Sequence, residues 1–326
     1  MVNNQLLSVS FLENIQTEIQ LVEERMQTQA DGHHPDLGSA LKHLLSSGGK
    51  RIRPAVTLLT GEMLSAQQDK VITLSAAIEL LHTATLVHDD LIDGARLRRG
   101  IETLNAQWSP AATVLTGDFV FAQAAKLAAQ TDSVPVMQLF AETLATIVNG
   151  EITQLFTSKG LASQEDYYER IYAKTASMFE LSTAASALLS PADGTIVEEM
   201  RSFGYDLGMA FQIVDDILDF TGEQITIGKP VASDLRQGLI TLPALYYFQD
   251  HPDNEILLAI QKSAGFSEKG LQQLVIDINN SGAIDESFSV AGRYVASAVA
   301  TIDNQPLSDE REALKELAQY IIERHS

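Results

Sequence analysis

The 326-residue chain is 45% hydrophobic and 20% charged, and its 43 acidic against 22 basic residues give a formal charge of -21. That balance excludes the basic footprint of a nucleic-acid binder, and the absence of cysteine excludes a disulfide framework and thiolate chemistry. The first stretch, MVNNQLLSVSFLENIQTEIQ (1–20), has no basic segment leading into an apolar run, so no secretory leader is expected. Apolar runs such as LSTAASALLSPA (181–192) stop short of the roughly 20 residues of a membrane span, and a cytoplasmic location is the expectation.

In chain order, VEERMQ (22–27) reads as an amphipathic helix, followed by a breaker at DGHHPDLG (31–38). Leu41, Leu44 and Leu45 follow an i, i+3, i+4 rhythm, and after SSGGKRIRP (46–54) the rhythm returns in Leu74, Ala77, Ile78 and Leu81. Pro54, Pro110 and Pro135 sit near expected helix starts, where a missing N–H does little harm. Further breakers fall at LSPADG (189–194), TGEQITIGKP (221–230) and DNQPLSDE (303–310), before a last amphipathic helix in EREALKELAQYIIERH (310–325). Alternating strand patterns are hard to find, and no composition shift marks a linker. The expected fold class is all-α, one large helical domain over 1–326, built from about ten to thirteen helices of ordinary length.

Within these helices two stretches stand out: LVHDDLID (86–93) and IVDDILD (213–219), which share the spacing D-D-x-x-D. On a helix Asp89 and Asp93 lie one turn apart on one face with Asp90 beside Asp93, and Asp215, Asp216 and Asp219 repeat the arrangement. A lone triplet of this kind reads as a solvated acidic face. The flanks here are apolar, however, and the spacing recurs far away in sequence. Desolvated carboxylates repel one another unless a cation neutralises them. An all-oxygen donor set favours Mg²⁺, which keeps several waters and completes its octahedron with substrate phosphates.

Phosphates call for basic residues, and the few that this acidic chain has are concentrated. GGKRIRP (48–54) places Lys50, Arg51 and Arg53 after a glycine pair, RLRRG (96–100) follows the first acidic cluster, and Lys174 and Lys229 add single charges. Each could instead offset a helix dipole. An apolar helical wall below a magnesium–diphosphate site suggests an allylic diphosphate substrate, whose cation a hydrophobic cavity would shelter from water.

Over nearly its whole length the chain resembles the trans-isoprenyl diphosphate synthases (polyprenyl synthetases), above all those of medium and long product length. The resemblance rests on an ordered set: GGKRIRP, HTATLVHDDLIDGARLRRG (82–100), TGDFVFAQA (116–124), GEITQL (150–155), KTASMF (174–179), FQIVDDILD (211–219), GKP (228–230) and SDLRQG–TLP (233–243). It implies an isoprenoid synthase fold with a central cavity between antiparallel helices, the two acidic clusters facing each other across it. It implies that Asp89, Asp93 and Asp215 hold about three Mg²⁺ ions on the allylic diphosphate, with Asp90, Asp216 and Asp219 in support. Arg98, Lys174 and Lys229 would grip that diphosphate, while Lys50, Arg53, His82 and Arg99 would bind isopentenyl diphosphate. Thr175 and Gln212 would position the cation, and released pyrophosphate would take the final proton. The implied assembly is a homodimer, with a heteromer as the variant, and the allylic primer is farnesyl or geranylgeranyl diphosphate.

Three positions depart from the family pattern: Leu239 where lysine is frequent, Ala232 for a frequent glycine, and Glu102 for a frequent proline. In the family, the residues four and five before the first aspartate line the upper cavity wall, and here they are Thr85 and Ala84, both small, with Leu81 and Ile78 below. One helical turn is about 5 Å, close to one isoprene unit, so the expected product is about six to ten units long, with geranylgeranyl diphosphate the alternative. The floor is expected at Leu81, at Ile78 or between Leu144 and Leu155.

Two other enzyme classes share some features. His88-Asp89 with His33, His34, His43 and His82 suggests a helical metal phosphohydrolase, but leaves the second triplet and the arginines unexplained. A terpene cyclase or head-to-head condensing enzyme would not need Lys50, Arg53 and His82. The non-enzyme reading, a regulatory subunit, fits poorly with two intact acidic clusters. Trp108 and the Tyr167-Tyr168 pair read as packing or surface aromatics, and YYF (246–248) as core or dimer interface.

Overall fold

A computed structural model describes residues 14–46, 49–98, 100–156, 163–221, 231–262 and 264–323. The chain divides into two compact units: residues 1–143, 178–204 and 301–317, and residues 144–177, 205–300 and 318–326.

The first unit opens with α1 (Gln16–Gln27), α2 (Pro35–Ser46) and α3 (Ile52–Met63). Next comes α4 (Gln68–Ile92), the organising helix of the unit, whose 25 residues span about 37 Å at the usual rise. It packs against α1, α3 and, most extensively, α6 (Pro110–Ala129). Between α4 and α6 the chain makes a two-residue antiparallel ladder, β1 (Leu97–Arg98) and β2 (Ile101–Glu102), turned at Gly100 with φ 77°, and one helical turn, α5 (Leu104–Gln107). Ser109 caps α6 through its hydroxyl and Pro110 occupies the first turn, as the sequence expectation for a proline there requires.

The ladder is a small departure from the all-helical expectation. It is too short to leave an alternating pattern in the sequence.

One further property of α4 bears on the membrane expectation. The helix is long and apolar enough to cross a membrane by length and composition, which the shorter apolar runs did not suggest. Its apolar window is 72% buried within the protein, so it is built as a core helix. Leu74, Ile78, Leu81 and Ala84 are all fully buried.

The long helix α7 (Val134–Phe156) runs on into the second unit, where it is followed by α8 (Gln164–Ile171), a five-residue π turn (Tyr172–Ala176) and α9 (Ser177–Leu188). A complete capping box on Ser163 and Asp166 starts α8. The second long helix, α10 (Gly194–Thr221), carries the second acidic triplet at its C-terminal end. Then follow α11 (Ser233–Arg236), α12 (Leu242–Asp250), α13 (Glu255–Gln261), α14 (Glu268–Asn280), α15 (Ala283–Ile302) and α16 (Asp309–Glu323). Among the described residues the helices outnumber the expected ten to thirteen, because single turns such as α5 and α11 stand beside the helices of ordinary length. Trp108 packs on Ala40, Val87 and Leu104, and Tyr247 and Phe248 are buried, in keeping with packing roles.

Candidate active site

The first acidic triplet occupies the last turn of α4. Successive helical residues point about 100° apart, so Asp89 and Asp90 face different sides of α4. Asp90 turns inward and is buried; Arg98 of β1 donates from Nε to both carboxylate oxygens at 3.0 and 3.1 Å and from Nη2 at 2.9 Å. Asp89 is half-buried and Asp93, the C-cap, is exposed. A cavity of about 30 Å³, room for one water, lies beside the ion pair between His43, Val87 and Leu104. His43 also bonds the Glu102 carbonyl at 2.7 Å, and Gln107 donates to the Glu102 carboxylate, so the position where proline is frequent here holds the ladder to its neighbours.

Arg51 and Arg53, two residues apart, have different fates. Arg51 sits at φ 47° as the N-cap of α3 and donates to Glu23 of α1 and Glu79 of α4, each at 2.8 Å. Burial alone would lower its pKa, but Glu79 and Glu23 together hold it above the ordinary value. It is a structural cation. The Arg53 guanidinium lies over the Phe179 ring at 5.1 Å, and Lys50 is exposed just before the helix. His82, two turns before Asp89 on the same face of α4, is half-buried, and its carbonyl accepts the Thr85 hydroxyl. Of the three expected wall residues, Thr85 alone has surface; Leu81 and Ala84 are packed as core.

Among the described residues the histidines face different partners. His88 packs on α6, its Nε2 3.3 Å from the Val114 carbonyl and 3.6 Å from Asp118, over Gly117, whose missing side chain makes room for the ring. His33 contacts the Phe119 ring, His34 faces Asp36 and His43 faces Glu102. Among the described residues no three His, Asp or Glu groups converge as a metal cage. That donor set fits a Mg²⁺ ion delivered with phosphates, which uses one or two carboxylates and fills its other positions with phosphate and water.

The second triplet shows the same division. Asp215 is exposed and Asp216 is buried. Tyr167 of α8 donates its hydroxyl to Asp216 Oδ2 at 2.8 Å, and Gln212 donates Nε2 to Oδ1 at 2.7 Å. The Gln212 carbonyl in turn accepts the Thr175 hydroxyl at 2.6 Å. Burial, then the nearby Asp234, pushes the Asp216 pKa up to about 8, against the pull of the two hydrogen bonds. Burial and the same carboxylate raise the Tyr167 phenol well above its ordinary value, so it remains a donor. Tyr167 is thus buried, in keeping with its packing reading, and in addition a hydrogen-bond donor.

Thr175 owes its position to the π turn, a single widened turn of the kind found at functional sites. Lys174, in the same turn, pairs with Glu151 at 2.8 Å. Gly150, next to Glu151, lets α7 approach: a Cβ there would meet that of Ala173 at 2.5 Å. Asp219 caps α11, accepting the backbone N–H groups of Ser233 and Asp234 at 3.1 and 3.2 Å. Ala232, preceding them, has φ 56°, which explains why a glycine suits that position. Beside Leu239, the Ile240 carbonyl accepts Nη2 of Arg170 at 2.7 Å. Arg99 and Lys229 lie outside the described residues.

Sequence reasoning did not find Glu151, Tyr167, Arg170 or the π turn. The signal was that Glu151 stands inside the motif GEITQL and Tyr167 a few residues before KTASMF.

Residues 34–278 match the family model described as polyprenyl synthetase. The heptaprenyl diphosphate synthase component 2 of Geobacillus stearothermophilus is 36% identical, with 94% of this chain and 96% of that protein covered. The crystal structure of a polyprenyl synthase from Caulobacter crescentus CB15, complexed with calcium and isoprenyl diphosphate, superposes with a TM-score of 0.92 at 34% identity, covering 98% of each chain. A decaprenyl diphosphate synthase from Rhodobacter capsulatus gives 0.90 at 30% identity, over 97% of this chain and 99% of that one.

Proposed function

The chain belongs to the polyprenyl synthetase family, and from that membership we propose that it condenses isopentenyl diphosphate head to tail with an allylic diphosphate, giving an all-trans polyprenyl diphosphate of medium or long chain length. It is a trans-prenyltransferase. The relatives support a medium or long product: one is named a heptaprenyl and another a decaprenyl diphosphate synthase. The observation that carries the reading is the repeated division within the triplets. In each, the middle aspartate is buried and accepts hydrogen bonds from protein donors, while a neighbour of the same triplet is exposed.

We assign Asp89, Asp93 and Asp215 to Mg²⁺ carried by the allylic diphosphate, about three ions in all. A divalent metal on an isoprenyl diphosphate is also what the Caulobacter relative holds, with calcium in that case. Bound magnesium would supply the charge that makes the diphosphate a leaving group. Arg98, Lys174 and Lys229 are assigned to that diphosphate, and Lys50, Arg53, His82 and Arg99 to isopentenyl diphosphate. Asp90 aims Arg98 and Glu151 aims Lys174. Thr175 and Gln212 offer oxygen dipoles to positive charge developing at the allylic carbon as its C–O bond breaks. The double bond of isopentenyl diphosphate then forms the new C–C bond, and the proton lost from it goes to the released pyrophosphate.

The assembly is proposed as a homodimer in the cytoplasm. A heteromer is the second reading, favoured by a relative named as one component of a synthase.

The test is a chain-length analysis of products from purified protein, Mg²⁺, isopentenyl diphosphate and farnesyl or geranylgeranyl diphosphate. Products of about six to ten units are expected, one unit per helical turn of open cavity. A stop at geranylgeranyl diphosphate would replace the chain-length reading, and no elongation would overturn the homomeric synthase. Asp89→Ala and Asp215→Ala should each abolish turnover with the fold retained; near-normal turnover in either would remove that residue from the metal site.

A further inference from the structure

Three elements of the second unit meet in one hydrogen-bonded chain that the proposed chemistry uses only at its end. It begins at the Tyr167 hydroxyl on α8, crosses Asp216 and Gln212, one turn apart on α10, and finishes at the Thr175 hydroxyl in the π turn. The Gln212 amide N–H₂ can only donate, and it does so to one oxygen of the Asp216 carboxyl while the Tyr167 hydroxyl donates to the other. That leaves the Gln212 carbonyl facing Thr175, whose hydroxyl must then give its proton to it. A carboxamide without such partners turns over readily, since its two ends have nearly the same shape.

The Tyr167 ring is itself held. Arg170 lies 5.5 Å from its centroid on a guanidinium anchored to the Ile240 carbonyl, and the Tyr168 ring stands 5.5 Å away. The phenol oxygen therefore has one place to be, and Tyr167 is fully buried.

We infer that Tyr167 is a positioning residue for prenyl transfer: through Asp216 it locks the Gln212 carboxamide in one orientation, so that Gln212 and Thr175 present fixed dipoles to the reacting end of the allylic substrate. The inference rests on the function proposed above. It gives Tyr167 no contact with substrate and no proton to transfer. Preorganised dipoles act on the charge of the transition state and little on ground-state binding, so the effect belongs in kcat.

Tyr167→Phe is the clean perturbation, because the ring keeps its contacts with Arg170 and Tyr168 and only the hydroxyl is lost. Steady-state elongation should show kcat lower by about 10- to 100-fold, the range of a small misplacement at a reacting centre, with both KM values within about twofold. In a Thr175→Val background, where the chain has lost its last link, the same substitution should cost less than about threefold, since members of one network are not additive. Unchanged kcat, a loss confined to KM, or the full loss repeated in the Thr175→Val background would overturn the inference.

A crystal structure of Tyr167→Phe separates this from the functional reading. A Gln212 amide still directed at Thr175 refutes the positioning role even if the wild type elongates. Absence of elongation by the wild type refutes the function, and the role with it. Should Tyr167→Phe fail to fold, Asp216→Asn removes one of the two acceptor oxygens at constant shape and carries the same kinetic expectations.

Discussion

Replacing Gly117 by alanine tests how closely α4 and α6 must approach behind the first acidic triplet. A Cβ at position 117 would lie 2.2 Å from His88 Nε2, 2.5 Å from Cδ2 and 2.9 Å from Cε1, where ordinary contacts begin at 3.4 Å. The ring would have to retreat by about 1 Å, and it is boxed in by the Val114 carbonyl at 3.3 Å and the Phe121 ring at 5.3 Å. Overfilling of a packed site costs about 1–3 kcal/mol. At about 2 °C per kcal/mol for a large chain, the melting temperature should fall by roughly 2–6 °C. Thermal and denaturant unfolding of Gly117→Ala would measure this directly. His88→Ala in the same background should recover most of the loss, because the new methyl then enters the space the ring has left, a coupling that a double-mutant cycle isolates. A loss below about 0.5 kcal/mol, or a double variant no better than the additive expectation, would show that the helix spacing is not set by this contact.

Thr85→Phe and Ala84→Phe separate two positions on α4. The half-buried Thr85 can take a larger side chain into the proposed cavity, so its product should shorten, whereas a phenylalanine at the fully buried Ala84 should destabilise by about 1–3 kcal/mol. A stable Ala84→Phe with shortened product would place the wall at Ala84 instead. At Ala232, relief of left-handed backbone strain of about 1–2 kcal/mol is offset by the lost burial of one methyl, about 0.8 kcal/mol, and by the extra unfolded-state freedom of glycine. Ala232→Gly should therefore be nearly neutral, and a change above about 1 kcal/mol in unfolding experiments would show that one of these effects is misjudged. Asp216, raised from 3.8 to about 8, binds its proton more tightly in the folded than in the unfolded chain. Its contribution to the metal-free protein is present at low pH and is lost as pH rises through that window. Thermal melts across this range should show stability falling with pH, and Asp216→Asn should flatten the slope; an unaltered slope assigns it to another group.

How much of this was legible in the sequence depended on whether a local period carried the information. The apolar rhythm of Leu74, Ala77, Ile78 and Leu81 placed α4, and Pro110 marked the start of α6, because helices are local objects. The acidic triplets and their inward and outward sides were implicit in the spacing. What joined them to the rest was not. Arg98 reaches Asp90 across a turn, Tyr167 reaches Asp216 across 49 positions, and Arg51 reaches Glu23 and Glu79, 28 positions away on either side. Such pairings belong to the tertiary packing, and no spacing rule announces them. The π turn is equally silent, since one widened turn leaves the apolar period on both sides intact. Arg51 and Arg53 illustrate the point: they are equal in charge and nearly adjacent, yet Arg51 bonds Glu23 and Glu79 while the Arg53 guanidinium lies over the Phe179 ring.

The cap that Asp219 places on α11 bears on how a carboxylate scan of this protein would be interpreted. The segment it organises includes Ala232, Ser233 and Asp234, about fourteen residues downstream, and Asp234 is the group that faces Asp216. Substitution at Asp219 would therefore uncap α11 and alter the electrostatic surroundings of a second carboxylate. A dead enzyme at that position would be reporting on architecture as much as on catalysis. Asp219→Asn, whose carbonyl oxygen can still receive a backbone N–H, is the variant that tells the two apart.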